Sequence, residues 1–315
     1  MSFSLGFVFL VTLLRTCSWS TFGVRAQEPQ PRVAIAPRQT EPVRRASSSN
    51  LRFDVNMVLV PVSVTDALDR PFNTLSRDSF RVLEDGIEQQ IVSFSQEEAP
   101  VSLGLLFDTS GSMKNRLDAS VEAMKLLFQT TMPGDEYFVV QFADTAHLLG
   151  GFTSNPDEIH GRLGLVEARG WTALLDAIAL GTHQMKSAKN QRRVLLILSD
   201  GADNNSRFSE SEIRSMVLEG DLRVYGIGLY HRPKLLQQLA QETGGKVLIA
   251  QSLSELPDVV NRLSREVRSQ YMLGYSSSNP HTDGKYRKVK VELVPPPGAP
   301  PLRASWRRGY YSPSE

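Results

Sequence analysis

Val101-Ser102-Leu103-Gly104-Leu105-Leu106-Phe107-Asp108-Thr109-Ser110-Gly111-Ser112 is the stretch from which the fold can be read. Residues 101–107 form a short, nearly continuous apolar run, the pattern of a strand buried on both faces, and it stops abruptly at a carboxylate, two hydroxyls and a glycine. Similar short runs recur at 138–142, 194–198 and 224–229. Between them the apolar period is helical: Met124, Leu127 and Phe128 share one face, as do Leu174, Leu175, Ile178, Ala179 and Met185. The spacing predicts further helices over 213–218, 235–243 and 253–268, the second closed by Gly244-Gly245. Strands alternating with helices predict an α/β fold, a mainly parallel sheet covered by helices on both faces.

Working outward, the period changes to two on either side. Val58, Val60, Val62 and Val64 alternate on one face, the signature of a half-buried strand. Phe80, Val82 and Glu84 run into Asp85-Gly86, with Ile91, Ser93 and Phe94 beyond, which predicts a hairpin around a positive-φ turn. Alternation returns over 270–275 and 286–293, and the proline-rich 295–301 reads as a stiff loop before Trp306. The economical arrangement is a small β-sandwich-like subdomain assembled from 51–99 and 269–315, with the α/β domain, 100–268, inserted between them.

The N-terminal segment is of another kind. Residues 3–14 are apolar but too short for a bilayer span, which takes about 20 residues, and Val24-Arg25-Ala26 supplies small residues at the positions a signal peptidase inspects. A signal peptide over 1–26 is expected, giving a mature chain without a transmembrane span in an extracytoplasmic, periplasmic or secreted, location. Residues 27–50, rich in Pro, Arg, Gln and Ser, are expected to be a disordered linker.

Composition narrows the function classes. Across 315 residues, 35 Lys and Arg stand against 34 Asp and Glu with no strongly basic segment, so nucleic acid is not an expected partner. The single cysteine, Cys17, falls within the leader, which removes thiol catalysis and a cysteine-based zinc site. The five histidines show no metal-ligand spacing. Gly226-Ile227-Gly228 lacks the third glycine of a dinucleotide fingerprint, no Gly-x-Ser-x-Gly elbow occurs, and Asp108-Thr109-Ser110 lacks the second aspartate of aspartyl-phosphate enzymes.

What remains is a set of oxygen side chains. Asp108, Ser110 and Ser112 lie at i, i+2 and i+4 after the first α/β strand. Thr172 opens a helix within Gly170-Trp171-Thr172-Ala173-Leu174, and Asp200 follows the strand 194–198 and Ser199. In doubly wound sheets ligands bind beyond the carboxyl ends of the strands, where all three segments would meet. Hard oxygens without His or Cys suit a hard divalent cation, Mg²⁺ in particular, and if Asp108 and Asp200 act through waters or hydrogen bonds the neutral hydroxyl ligands leave such an ion electrophilic. Taken singly, each segment also reads as an N-cap or a turn. Asp203, Asn204 and Asn205 read as polar loop residues.

Asp-x-Ser-x-Ser after a strand, a distant Thr and a later Asp-Gly resemble the metal-ion-dependent adhesion site of von Willebrand factor A domains. The likeness covers about 101–268, and the flanks, with their Val-rich strand, Glu-Asp-Gly hairpin and closing Gly-Tyr-Tyr, resemble the bacterial exported subfamily. The resemblance implies a Rossmann-like fold and a non-enzymatic module that binds protein through Mg²⁺ or Mn²⁺, an Asp or Glu of the partner completing the coordination. Trp171 departs from the small residue common before the Thr. Two other readings stay open: a Mg²⁺-dependent hydrolase, and a structural assembly protein with a vestigial site.

Overall fold

The computed structural model describes residues 57–96 and 98–314, so the leader expected over 1–26 and the linker expected over 27–50 lie outside the described residues. The described residues begin with β1 (Met57–Thr65), β2 (Phe80–Glu84), β3 (Ile87–Gln89) and β4 (Ile91–Ser95). Asp85 and Gly86, at φ +48° and +88°, form the two-residue turn of the β2–β3 hairpin, with Glu84 paired to Ile87. The hairpin's return strand is therefore β3. Ile91, Ser93 and Phe94, read with that hairpin in the sequence, instead belong to β4, which leaves for another sheet.

The α/β unit follows as β5 (Val101–Asp108), α1 (Leu117–Phe128), β6 (Glu136–Phe142), β7 (Ala146–Leu148), α2 (Pro156–Leu163), α3 (Leu174–Met185), β8 (Arg192–Ser199), α4 (Glu210–Glu219), β9 (Arg223–Leu229), α5 (Lys234–Thr243), β10 (Val247–Ala250) and α6 (Leu256–Arg268). Its six strands run in the order β10-β9-β8-β5-β6-β7, parallel except for the edge strand β7. Every residue of β5 is buried, as its unbroken apolar run requires. One face of the sheet packs against α1, α2 and α6 through Met124, Ile159 and Leu263, the other against α3, α4 and α5 through Ile178, Val217 and Leu239. The helix expected over 253–268 has its regular part in α6, behind a 3₁₀ turn at Leu253–Glu255, since Pro257 fits the first turn of a helix but not its interior.

The chain closes with β11 (Tyr271–Ser276), β12 (Tyr286–Leu293), β13 (Arg303–Trp306) and β14 (Gly309–Tyr311). Strands from both ends share sheets, ordered β13-β1-β11-β4 and β14-β12-β2-β3. Val60, Val62 and Val64 of β1 meet Phe80, Val82, Tyr271, Tyr275 and Val291 in one core between them. The half-buried strand read for β1 is buried on both faces toward its end: Arg223 of β9 donates to Pro61 O at 2.5 Å and to Ser63 Oγ at 3.2 Å, covering the second face. Gly244, at φ +77°, ends α5 in the left-handed conformation, and a Cβ there would lie 2.3 Å from the Trp306 carbonyl carbon. Glycine thus serves both the cap and the close approach of β13.

Candidate metal centre

Asp108 ends β5 and Asp200 follows β8, two adjacent strands. From β5 the chain crosses to β6 on one side and later returns to β8 on the other, so the two carboxylates stand at the point where strand order reverses. Asp108 is completely buried and held by two bonds: Ser110 N–H donates to Oδ1 at 2.8 Å and Ser199 Oγ to Oδ2 at 2.5 Å. Ser110 and Ser112 hydroxyls are 3.0 Å apart, and Ser112 Oγ donates to Asp200 Oδ1 at 2.7 Å. Ser112 is exposed whereas Ser110, Ser199 and Asp200 are buried, so the cluster opens to solvent on the Ser112 side.

Thr172 arrives by backbone bonds. Gly111 N–H donates to Gly170 O at 2.9 Å and Arg169 N–H to Thr109 O at 2.8 Å, pinning the loop before α3 against the Asp108 turn. Gly170 adopts φ +75°, and a Cβ there would collide with the Asp144 carboxylate, which accepts from Trp171 N–H at 2.8 Å. Thr172 N–H donates to Asn204 Oδ1 at 2.8 Å, while Asn204 and Asn205 N–H return bonds to Thr172 O. All three predicted segments therefore interlock at one rim, with Thr172 itself buried.

Four neighbours of the cluster escape sequence reasoning. Ser199 is a direct partner of Asp108, and its place between the strand and Asp200 was the available signal. Asn204, read as a loop residue, ties two site segments together, and Asp203 does the same through Leu175 N–H at 3.2 Å. Arg116 pairs through Nη1 with Asp200 Oδ2, a contact across 84 positions that no local pattern announces. Trp171, the departure noted in the sequence, is 64% exposed beside the rim.

Burial dominates the electrostatics of Asp108. Burial pushes the Asp108 carboxyl above its ordinary range; the bonds from Ser199 and Ser110 oppose this, and the nearby Asp200 charge adds to it. An anion so placed lacks a full complement of donors. Among the described residues no group of three or more His, Cys, Asp or Glu is placed to hold a metal. The donor set is thus two carboxylates with hydroxyls, which fits a hard ion such as Mg²⁺ or Mn²⁺ and not a soft one.

Residues 103–202 match the model of the von Willebrand factor type A domain. The chain is similar in structure to a von Willebrand factor type A protein from Catenulispora acidiphila, at 14% identity and a TM-score of 0.52, over 84% of this chain and 75% of that one. It is also similar to proximal thread matrix protein 1 from the mussel byssus, at 19% identity and a TM-score of 0.50, over 59% of this chain and 51% of that one. In another structure of the mussel protein, at 18% identity, a TM-score of 0.50 and 58% and 49% coverage, the MIDAS motif is occupied by zinc. The chain spans about half the length of the mussel protein, and at these identities the shared property is the fold. No curated protein matches the sequence.

Proposed function

With a von Willebrand factor type A domain over residues 103–202 as the premise, we propose that this chain is an exported, non-enzymatic binding module of adhesion type. Asp108, Ser110, Ser112, Thr172 and Asp200 would hold one Mg²⁺ or Mn²⁺. When bound, such an ion supplies an electrophilic centre to which an Asp or Glu carboxylate of a protein partner can attach. The observation that supports the reading most is the convergence of Asp108, Ser110, Ser112 and Asp200 at the ends of adjacent strands, with the Thr172 loop pinned against the Asp108 turn.

The chain's own residues define the rest of the interaction. Ser112 stands at the exposed edge, where a partner approaches. The interlocked backbone of 109–111, 169–173 and 204–205 fixes the hydroxyl positions before any ligand arrives, which limits the ordering cost of binding. Trp171 adds an exposed apolar flank, so a partner acid bordered by an apolar side chain fits the face. The zinc-occupied motif of the mussel relative lends weight to metal use at this position of the fold. Export rests on the N-terminal sequence, and among the described residues no helix is long and apolar enough to cross a membrane. The likeness of the flanks to the bacterial exported subfamily supports the same location.

The test is calorimetry with Mg²⁺ and Mn²⁺, followed by capture of envelope proteins in Mg²⁺ and elution with EDTA. Binding heat with wild type, its loss in Ser110→Ala and Thr172→Ala, and release of a captured protein by EDTA are expected. Absence of heat with wild type, or capture indifferent to EDTA, overturns the proposal.

A further inference from the structure

The most unusual side chain near the site is a cation. Arg116 stands between the 3₁₀ turn Gly111–Asn115 and α1, its backbone fixed by the bond from its N–H to Met113 O at 2.8 Å and by Ser120 N–H donating to its carbonyl at 2.9 Å. Its side chain is about one-third exposed. Nη1 pairs with Asp200 Oδ2, while the guanidinium carbon lies 4.8 Å from the centre of the Tyr230 ring. Tyr230 holds that place in a left-handed backbone conformation, φ +66°, uncommon for an aromatic residue, with its N–H donating to Ala250 O at 2.9 Å. The Arg116 side chain thus bridges a buried carboxylate and an exposed aromatic face.

Both oxygens of Asp200 are engaged, Oδ1 by Ser112 Oγ and Oδ2 by Arg116. The same carboxylate, which is 1% exposed, keeps one lone pair free on each oxygen, but its charge is already matched by the guanidinium, so its attraction for a divalent ion is reduced while that pair persists. A fixed positive charge beside Asp200 also repels an incoming cation. We propose that Arg116 is a built-in counter-ion that competes with the metal for Asp200 and sets the affinity of the centre. When displaced, the guanidinium stays on Tyr230 by cation–π attraction, a few ångströms from the rim rather than free in solvent. Metal occupancy then needs a higher ion concentration than the same site without Arg116. This inference rests on the metal reading given under Proposed function.

The test compares wild type, Arg116→Gln and Arg116→Lys by calorimetry with Mg²⁺ alone and by thermal unfolding in EDTA and in saturating Mg²⁺. Arg116→Gln is expected to bind Mg²⁺ about tenfold more tightly, since one charge-assisted bond no longer has to be broken. In EDTA it is expected to melt lower than wild type, and in saturating Mg²⁺ the gap narrows. Arg116→Lys, which keeps the charge without the planar fork, falls between them. Equal or weaker Mg²⁺ binding by Arg116→Gln, with wild type binding normally, overturns this inference and leaves the metal reading standing. No Mg²⁺ heat from wild type and variants alike overturns both.

Discussion

Two buried carboxylates, one in each part of the molecule, invite comparison. Glu84, in the β-sandwich-like part, accepts from Tyr275 OH at 2.7 Å, Tyr310 OH at 2.8 Å and Ser277 Oγ at 2.5 Å, with Arg287 Nη1 at 3.4 Å. Burial pushes its carboxyl upward, but these donors and the Arg287 charge outweigh that and hold it below the ordinary range. Asp108, in the α/β part, has two donors and a like-charged neighbour, and burial prevails. One carboxylate has its charge matched by donors of its own chain, and the other has fewer donors than burial demands. The first arrangement supports a fold and the second supports a binding site, although both residues are almost wholly buried.

The comparison can be broken most directly at Glu84. Glu84→Ala leaves Arg287 buried without its anion and is expected to destabilise the protein by about 3–5 kcal/mol in urea unfolding. The sign with pH follows from the lowered pKa. The stabilisation from Glu84 is complete above its ordinary value of 4.5 and is lost as pH falls through the lower folded value. Asp135, held low by Arg268 and by the N–H groups of Met132 and Val101 against the opposing effect of burial, acts in the same direction. Acid unfolding of wild type should therefore steepen below about pH 4.5, while Glu84→Gln, already weaker at neutral pH, loses less on further acidification.

At Asp108 the expected result is smaller and opposite in kind. Asp108→Asn removes a poorly compensated buried charge, so its stability in EDTA should equal or exceed that of wild type. The same change should abolish the gain of about 2.7 kcal/mol that Mg²⁺ at roughly a hundred times its Kd gives wild type. Loss of stability in EDTA comparable to that of Glu84→Ala would erase the distinction between the two carboxylates. The smallest effect is expected at Trp171. Its side chain is exposed, so Trp171→Ala should stay within about 0.5 kcal/mol of wild type in unfolding. A larger loss would assign the indole to the fold rather than to the binding face.

Much of this arrangement was legible because it is written in local patterns. The apolar run of 101–107 ends in Asp108, and that ending announced both a central strand and its functional end. The alternation Phe80, Val82, Glu84 placed a carboxylate on a core face, a signal of the Glu84 hub that was read only as the approach to a turn. Short elements escaped: β7 and β10 carry too few residues to show a period, although Asn155-Pro156 before α2 is a good helix start, with Asn155 Oδ1 accepting from Asp157 N–H. Arg116 and Ser199 were not legible as partners of the site. Their roles depend on which distant segments the sheet brings together, and sequence spacing carries no record of that.

The pairing of β4 with β11 has a consequence of its own. Ser95 and Met272 are partners in that ladder, so the chain leaves one strand for the α/β part and comes back on the strand beside it. Asp135 draws the two crossings together, accepting from Val101 N–H and from Arg268 Nη2 at 2.8 Å each. The chain enters and leaves the guest at one doorway, although Arg223 against β1 and Gly244 against β13 add contacts between host and guest away from it. Exchange of the guest for another cassette with neighbouring ends need not cut any rung of the host's ladders, so recognition can change while the scaffold that presents it stays the same.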